Sequence, residues 1–206
     1  LIKIMSGQIT RKNMANEGKK AIITEPKWKR LVVETTGHIF TPKLCQEIID
    51  LSKTLPQEKG TGLTKTIARE SAVGWLPFDK MQPMYDDINN FIQKTNRNHF
   101  GFGDIQIREP AQITEYIKGG FYEWHTDTSV DMSVESPVRK LSMTLLLNDP
   151  SEFEGGELQI AGVKNTKLMK QGHATIFASF LQHRITPITR GVRRSLVMWF
   201  GGEPFK

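Results

Sequence analysis

His125-Thr-Asp127 places an imidazole and a carboxylate two residues apart. On an extended segment, positions i and i+2 project to the same face. Both side chains can then reach one metal ion from one side. A second imidazole has to come from elsewhere, and His183 opens another β-like segment. Two histidines and one carboxylate on one face make up the facial triad that holds non-haem Fe(II), with coordination positions left open for other ligands. An isolated His-x-Asp has a competing reading, turn residues that make local hydrogen bonds. His38 and His99 read as surface residues, and His173 as a turn residue ahead of an apolar strand.

The segment after His183 strengthens the first reading. It runs through Pro187 and Arg190-Gly191 to Arg193, Arg194 and Ser195, and on to Trp199-Phe200. A hairpin at Arg190-Gly191 is expected to return the chain alongside the His183 strand. Strand alternation then puts Arg193, Ser195, Val197 and Trp199 on one face and Arg194, Leu196 and Met198 on the other. An inward guanidinium suits bidentate capture of a carboxylate, and Ser195 adds a hydroxyl donor. The alternative is that the arginines of 184–194 decorate a surface hairpin.

These residues need a scaffold. Strands are expected at Leu31–Thr35, Asp104–Arg108, Ala111–Ile117, Lys140–Leu147, Glu157–Ile160, Ala174–Ala178, His183–Pro187 and Ser195–Phe200. Turn residues such as Gly119-Gly120, Gly155-Gly156 and Gln171-Gly172 separate many of them. Thr41-Pro42, followed by Leu44, Cys45, Ile48, Ile49 and Leu51, predicts a first helix. Met84, Ile88, Phe91 and Ile92 predict a second over roughly Asp79–Thr95. Early helices and late strands describe an α+β, mainly β fold: a sandwich or barrel with helices on its flank. The loops Pro56–Arg69 and Thr128–Arg139 are candidate lids. Trp75, Trp124 and Trp199 are candidate cleft residues that core packing also explains.

Composition fits this picture. The chain has 206 residues, 38% hydrophobic and 24% charged, ordinary values for one globular domain. One cysteine, Cys45, excludes an internal disulfide framework and a Cys-rich zinc module. No apolar run approaches a membrane span, and residues 1–30 lack the apolar stretch of a secretory signal. The expectation is a cytoplasmic protein with no membrane partner. Residues 1–30 carry eight basic and two acidic side chains, a net +6 equal to that of the whole chain. The basic excess therefore belongs to an N-terminal arm, 1–30, and residues 31–206 form one domain. Such an arm is either solvated or touches an acidic partner such as nucleic acid.

Four blocks in order resemble the Fe(II)/2-oxoglutarate-dependent dioxygenases. They are Tyr116-Ile-Lys-Gly-Gly-Phe-Tyr122-Glu-Trp-His125-Thr-Asp127, Phe153-Glu-Gly-Gly-Glu-Leu158, Gly172-His-Ala-Thr-Ile-Phe177, and His183 through Ser195. The likeness is to the prolyl-4-hydroxylase-like branch, closest to the PKHD-type hydroxylases, in which Pro-Ile-Thr-Arg-Gly between distal histidine and arginine is typical. It covers about 104–202, the expected catalytic core. The resemblance implies a double-stranded β-helix, or jelly-roll, core with N-terminal flanking helices. It implies iron held by His125, Asp127 and His183. The far carboxylate of 2-oxoglutarate would pair with Arg193, Tyr116 and Ser195. O2 is the third reactant and ascorbate a further candidate. The implied reaction is hydroxylation of an unactivated C–H, most simply of a peptidyl residue such as proline, with a small molecule as another possible substrate. Two alternatives stay open. One is a nucleic-acid-demethylating dioxygenase, against which Trp199 stands where that group usually has a second arginine. The other is a non-catalytic jelly-roll that binds a metal or ligand.

Overall fold

The computed structural model describes residues 30–61, 67–128, 138–163 and 170–205. The basic arm, apart from Arg30, and the middles of both candidate lids lie outside them.

Strand β1 (Val32–Glu34) comes first. Helix α1 (Pro42–Ser52) starts where expected: the Thr41 side chain accepts from the Leu44 N–H at 3.2 Å, with Pro42 in the first turn. It buries Cys45, Ile48, Ile49 and Ser52, one helical face. Three strands follow: β2 (Glu58–Lys59), β3 (Arg69–Glu70) and β4 (Ala72–Leu76). Helix α2 (Gln82–Thr95) begins later than expected, because Phe78–Lys80 forms a separate 3-10 turn and Met81 is non-helical. A π-turn over Asn96–Phe100 ends at Gly101, whose positive φ of 81° closes the helix.

The remaining strands are β5 (Gln106–Ile107), β6 (Ala111–Tyr116), β7 (Phe121–His125), β8 (Val138–Leu146), β9 (Phe153–Gly155), β10 (Leu158–Ile160), β11 (Ala174–Ala178), β12 (His183–Ile185), β13 (Ile188–Gly191) and β14 (Arg193–Gly202). The expected strands are present, the one at Asp104–Arg108 shortened to β5. Strands β2, β3, β4, β7, β9 and β13 are additions.

The large sheet runs β1-β11-β8-β14-β6-β4-β2, with β5 also on β14; the second runs β10-β12-β7-β3; β9 and β13 form a third, two-stranded sheet. Among the described residues all pairings are antiparallel. The expected hairpin at Arg190-Gly191 does not form. β13 pairs with β9, and β14 enters the large sheet between β8 and β6, away from β12. Gly191 adopts φ +73° with its Cα packed on the Glu152 carbonyl, so a Cβ would meet that oxygen at 1.9 Å. The chain turns there from one sheet to another, as a jelly-roll requires.

Both faces of the large sheet are covered. One face carries Ile113, Met143, Leu145, Ile176, Leu196, Met198 and Phe200, in one apolar cluster with Cys45, Ile48, Ile88 and Ile92 of the helices. The other face carries Gln112, Thr114, Ser142, Thr144, Arg193 and Ser195, all buried. A face that would ordinarily be polar because it meets water is here polar and enclosed, and the cavity lies against it.

Candidate metal centre and cavity

Strand β7 carries the first histidine, and a bulge aims it. His125 pairs with His183 and Tyr122 with Ile185, so Glu123 and Trp124 together oppose Arg184. The extra residue brings Tyr122 and His125 to the same inward side, their rings stacked at 3.5 Å. Trp124 is sent outward, 39% exposed, under the Arg184 guanidinium. Asp127 is not on the strand as the i, i+2 reading assumed. β7 ends at His125, and Asp127 lies in a bend whose N–H donates to the Ser179 carbonyl at 2.9 Å.

The three side chains converge. His125 Nε2 is 3.6 Å from Asp127 Oδ1, His183 Nε2 is 3.5 Å from Asp127 Oδ2, and the candidate ligand atoms lie within 4.8 Å of one another. All three residues are buried. His125 Nδ1 sits 2.7 Å from the Glu123 carbonyl and His183 Nδ1 3.0 Å from that of Leu181. A carbonyl only accepts, so each Nδ1 carries the proton and each Nε2 presents its lone pair to the centre. Burial, and then the neighbouring His183, push the His125 pKa down to about 4 against the pull of Asp127. Its imidazole is neutral near pH 7. Burial opposes ionisation of Asp127, but the charge interaction with His183 and His125 and the Ser142 hydroxyl outweigh it and hold the carboxyl below its usual range. Two imidazoles with Nε2 turned to the centre and one carboxylate fit a divalent transition metal.

The cavity of about 300 Å³ in front of this centre is also lined by Arg193, Tyr116 and Ser195. Arg193 is 2% exposed and donates to Ser195 Oγ at 3.0 Å. Among the described residues it has no carboxylate within ion-pair distance. Burial lowers its pKa, and a buried cation left without an anion is costly. Tyr116 is buried beside it, ring centroid 5.8 Å from the guanidinium. Val197 and Trp199 line the cavity too, whereas Arg194 faces away and pairs with Glu115 at 2.7 Å.

Two cavity residues, Arg69 and Arg139, carry no local signal in the sequence. Arg69, on β3, donates to Ser71, Thr61 and Gln112 and lies 4.5 Å above the Tyr122 ring. Arg139 is clamped by Glu109 and lies 3.8 Å over the Trp199 ring. The Phe177 ring, at the cavity wall, meets His183 edge-on at 4.6 Å. Trp75, 36% exposed, tilts against Trp199 at 6.2 Å and donates its indole N–H to Glu58.

Comparison with known proteins converges on one family. Residues 111–201 match the model of the 2OG-Fe(II) oxygenase superfamily, a stretch that includes His125, Asp127, His183 and Arg193. A PKHD-type hydroxylase from Pseudomonas fluorescens is 35% identical over 96 residues, 44% of this chain and 42% of the relative. The chain thus spans less than half the length of that relative. Among solved structures, the viral collagen prolyl hydroxylase from Paramecium Bursaria Chlorella virus-1, in its 2OG complex, superposes with a TM-score of 0.68 at 18% identity, covering 84% of this chain and 97% of the other. A prolyl hydroxylase from Trichoplax adhaerens, in complex with a hypoxia inducible factor peptide fragment, gives 0.62 at 15% identity over 82% and 83%. The fold is the jelly-roll of these oxygenases. The family takes Fe(II), 2-oxoglutarate and O2. Among the described residues, no helix is long and apolar enough to cross a membrane.

Proposed function

We propose that this chain, 2OG-Fe(II) oxygenase in family over residues 111–201, is a hydroxylase that acts on a C–H bond of a peptidyl residue, most simply proline. The observation that carries the reading is one cavity lined both by a three-ligand cluster and by a buried guanidinium that has no carboxylate within ion-pair distance among the described residues. His125, Asp127 and His183 would hold the iron. Arg193, with the Ser195 hydroxyl and Tyr116, would hold the far carboxylate of 2-oxoglutarate. Bound there, the metal and co-substrate would supply hydroxylation of a C–H bond by O2, with 2-oxoglutarate converted to succinate and CO2.

The protein's own part is orientation and exclusion of water. The carbonyls of Glu123 and Leu181 keep both imidazoles in the metal-binding tautomer. Phe177, Leu158 and Ile185 wall the cavity with apolar surface. Trp75, its indole fixed by Glu58, offers a flat, half-open face at the cavity that suits a substrate side chain such as the proline ring. The solved relative with a peptide fragment bound supports a peptide as the substrate class.

The test is succinate release from 2-oxoglutarate, with Fe(II) and ascorbate, in the presence of proline-containing peptides, free amino acids or methylated oligonucleotides. Stimulation by peptides, with a 16 Da gain on proline, is expected. Stimulation by oligonucleotides alone would overturn the substrate assignment.

A further inference from the structure

The Asp127 carboxylate is held at one of its two oxygens by a buried serine pair. Ser142 Oγ lies 2.6 Å from Asp127 Oδ2 and 2.9 Å from Ser179 Oγ, and both serines are wholly buried. A carboxylate only accepts, so Ser142 must spend its single proton on Oδ2. The proton in the serine–serine bond then belongs to Ser179. The result is a directed chain, Ser179 to Ser142 to Asp127. Ser179 also accepts the Asp127 backbone N–H at 2.9 Å through its carbonyl. One residue thereby fixes the backbone of Asp127 directly and its side chain through Ser142.

We propose that Ser142 and Ser179 are positioning residues that set the denticity of Asp127: by engaging Oδ2, Ser142 makes Oδ1 the metal ligand and keeps the carboxylate monodentate. Both oxygens face an imidazole, Oδ1 that of His125 and Oδ2 that of His183; the Ser142 bond occupies a lone pair of Oδ2 and fixes the rotation of the carboxylate, which leaves Oδ1 the unencumbered donor. The consequence is an open coordination position. A facial triad leaves about three of six positions free only if its carboxylate uses one oxygen. A bidentate Asp127 would fill a position that co-substrate or O2 needs. The inference rests on the metal centre proposed above.

The test uses the full chain loaded with Mn(II), reading the number of metal-bound waters from water-proton relaxivity. Wild type should show about three such waters, and Ser142→Ala about two, as the freed Oδ2 swings onto the ion. Ser142→Thr, which keeps the hydroxyl, should restore the wild-type value. Ser179→Ala should shift the count in the same direction as Ser142→Ala, and it carries the test alone if Ser142→Ala does not fold. An unchanged water count in metal-loaded Ser142→Ala, or in Ser179→Ala where that variant stands alone, overturns the inference even if the melting temperature falls, since that is what a merely structural role gives. Failure of wild type to take up Mn(II) is a separate outcome, which overturns the metal centre itself and the inference with it.

Discussion

Arg193 is a buried charge on the cavity wall, bonded to the Ser195 hydroxyl. If it holds the far carboxylate of 2-oxoglutarate, truncation removes one partner of a buried, charge-assisted pair. Such losses are about 2–5 kcal/mol, or roughly 30-fold to several-thousand-fold in affinity. Arg193→Ala should weaken 2-oxoglutarate binding to the Mn(II)-loaded protein by that factor and leave Mn(II) affinity near wild type. Arg193→Lys should recover only part, because one ammonium does not reproduce the fork. Arg194→Ala should change the affinity little, since its partner Glu115 lies on the partly exposed side and surface pairs contribute about 0–1 kcal/mol. Calorimetric titration of 2-oxoglutarate decides this. Equal weakening by Arg193→Ala and Arg194→Ala would contradict the face assignment.

At the scale of elements, the Gly155-Gly156 turn after β9 supports the same arginine. Gly156 has φ +63°, and a Cβ there would stand 2.8 Å from Arg193 Cδ and 2.3 Å from Ile188 Cδ1. Gly156→Ala should therefore lower the melting temperature through a strained backbone, about 1–3 kcal/mol, and weaken 2-oxoglutarate binding while sparing the metal. Unchanged 2-oxoglutarate affinity in a folded variant would separate this turn from the site. Helix α1 offers a check of the opposite face. Cys45 is fully buried, and desolvation pushes its thiol up to about 11. Native protein at pH 8 should resist alkylation that proceeds freely in denaturant; rapid native labelling would contradict the helix packing. These elements also show what was legible in the sequence. Helix α1 was readable because its cap, its proline and its apolar spacing agree. The face of Arg193 was readable because alternation within one strand is local. The partner of β14 was not, because the turn at Gly191 resembles a hairpin in sequence and only long-range pairing sends the strand between β8 and β6. The bulge in β7 was equally silent: nothing in Tyr122-Glu-Trp-His125 marks which residue is extra. Arg69 and Arg139 entered the cavity unannounced, since their neighbours there come from distant strands.

Over the whole molecule, the two faces of the large sheet divide the work. One buries apolar side chains against α1 and α2 and supplies rigidity. The other carries a buried polar set that lines the cavity, where the proposed metal and co-substrate would sit. The protein should accordingly be stabilised by its ligands. Metal at 100 times its dissociation constant contributes about 2.7 kcal/mol, which for a chain of this size raises the melting temperature by roughly 5–11 °C. Asp127→Ala should lose most of that shift. Scanning calorimetry with and without Mn(II) reads it, and an equal shift in the variant would place the ion elsewhere. The central claim, that His125, Asp127, His183 and Arg193 form one oxidising site, is tested most directly by following 2-oxoglutarate under ¹⁸O2 with Fe(II) and ascorbate. Wild type should give succinate carrying one ¹⁸O atom, absent in Asp127→Ala and restored in Arg193→Ala only at much higher 2-oxoglutarate. Succinate without label, or equal conversion by wild type and Asp127→Ala, would contradict it.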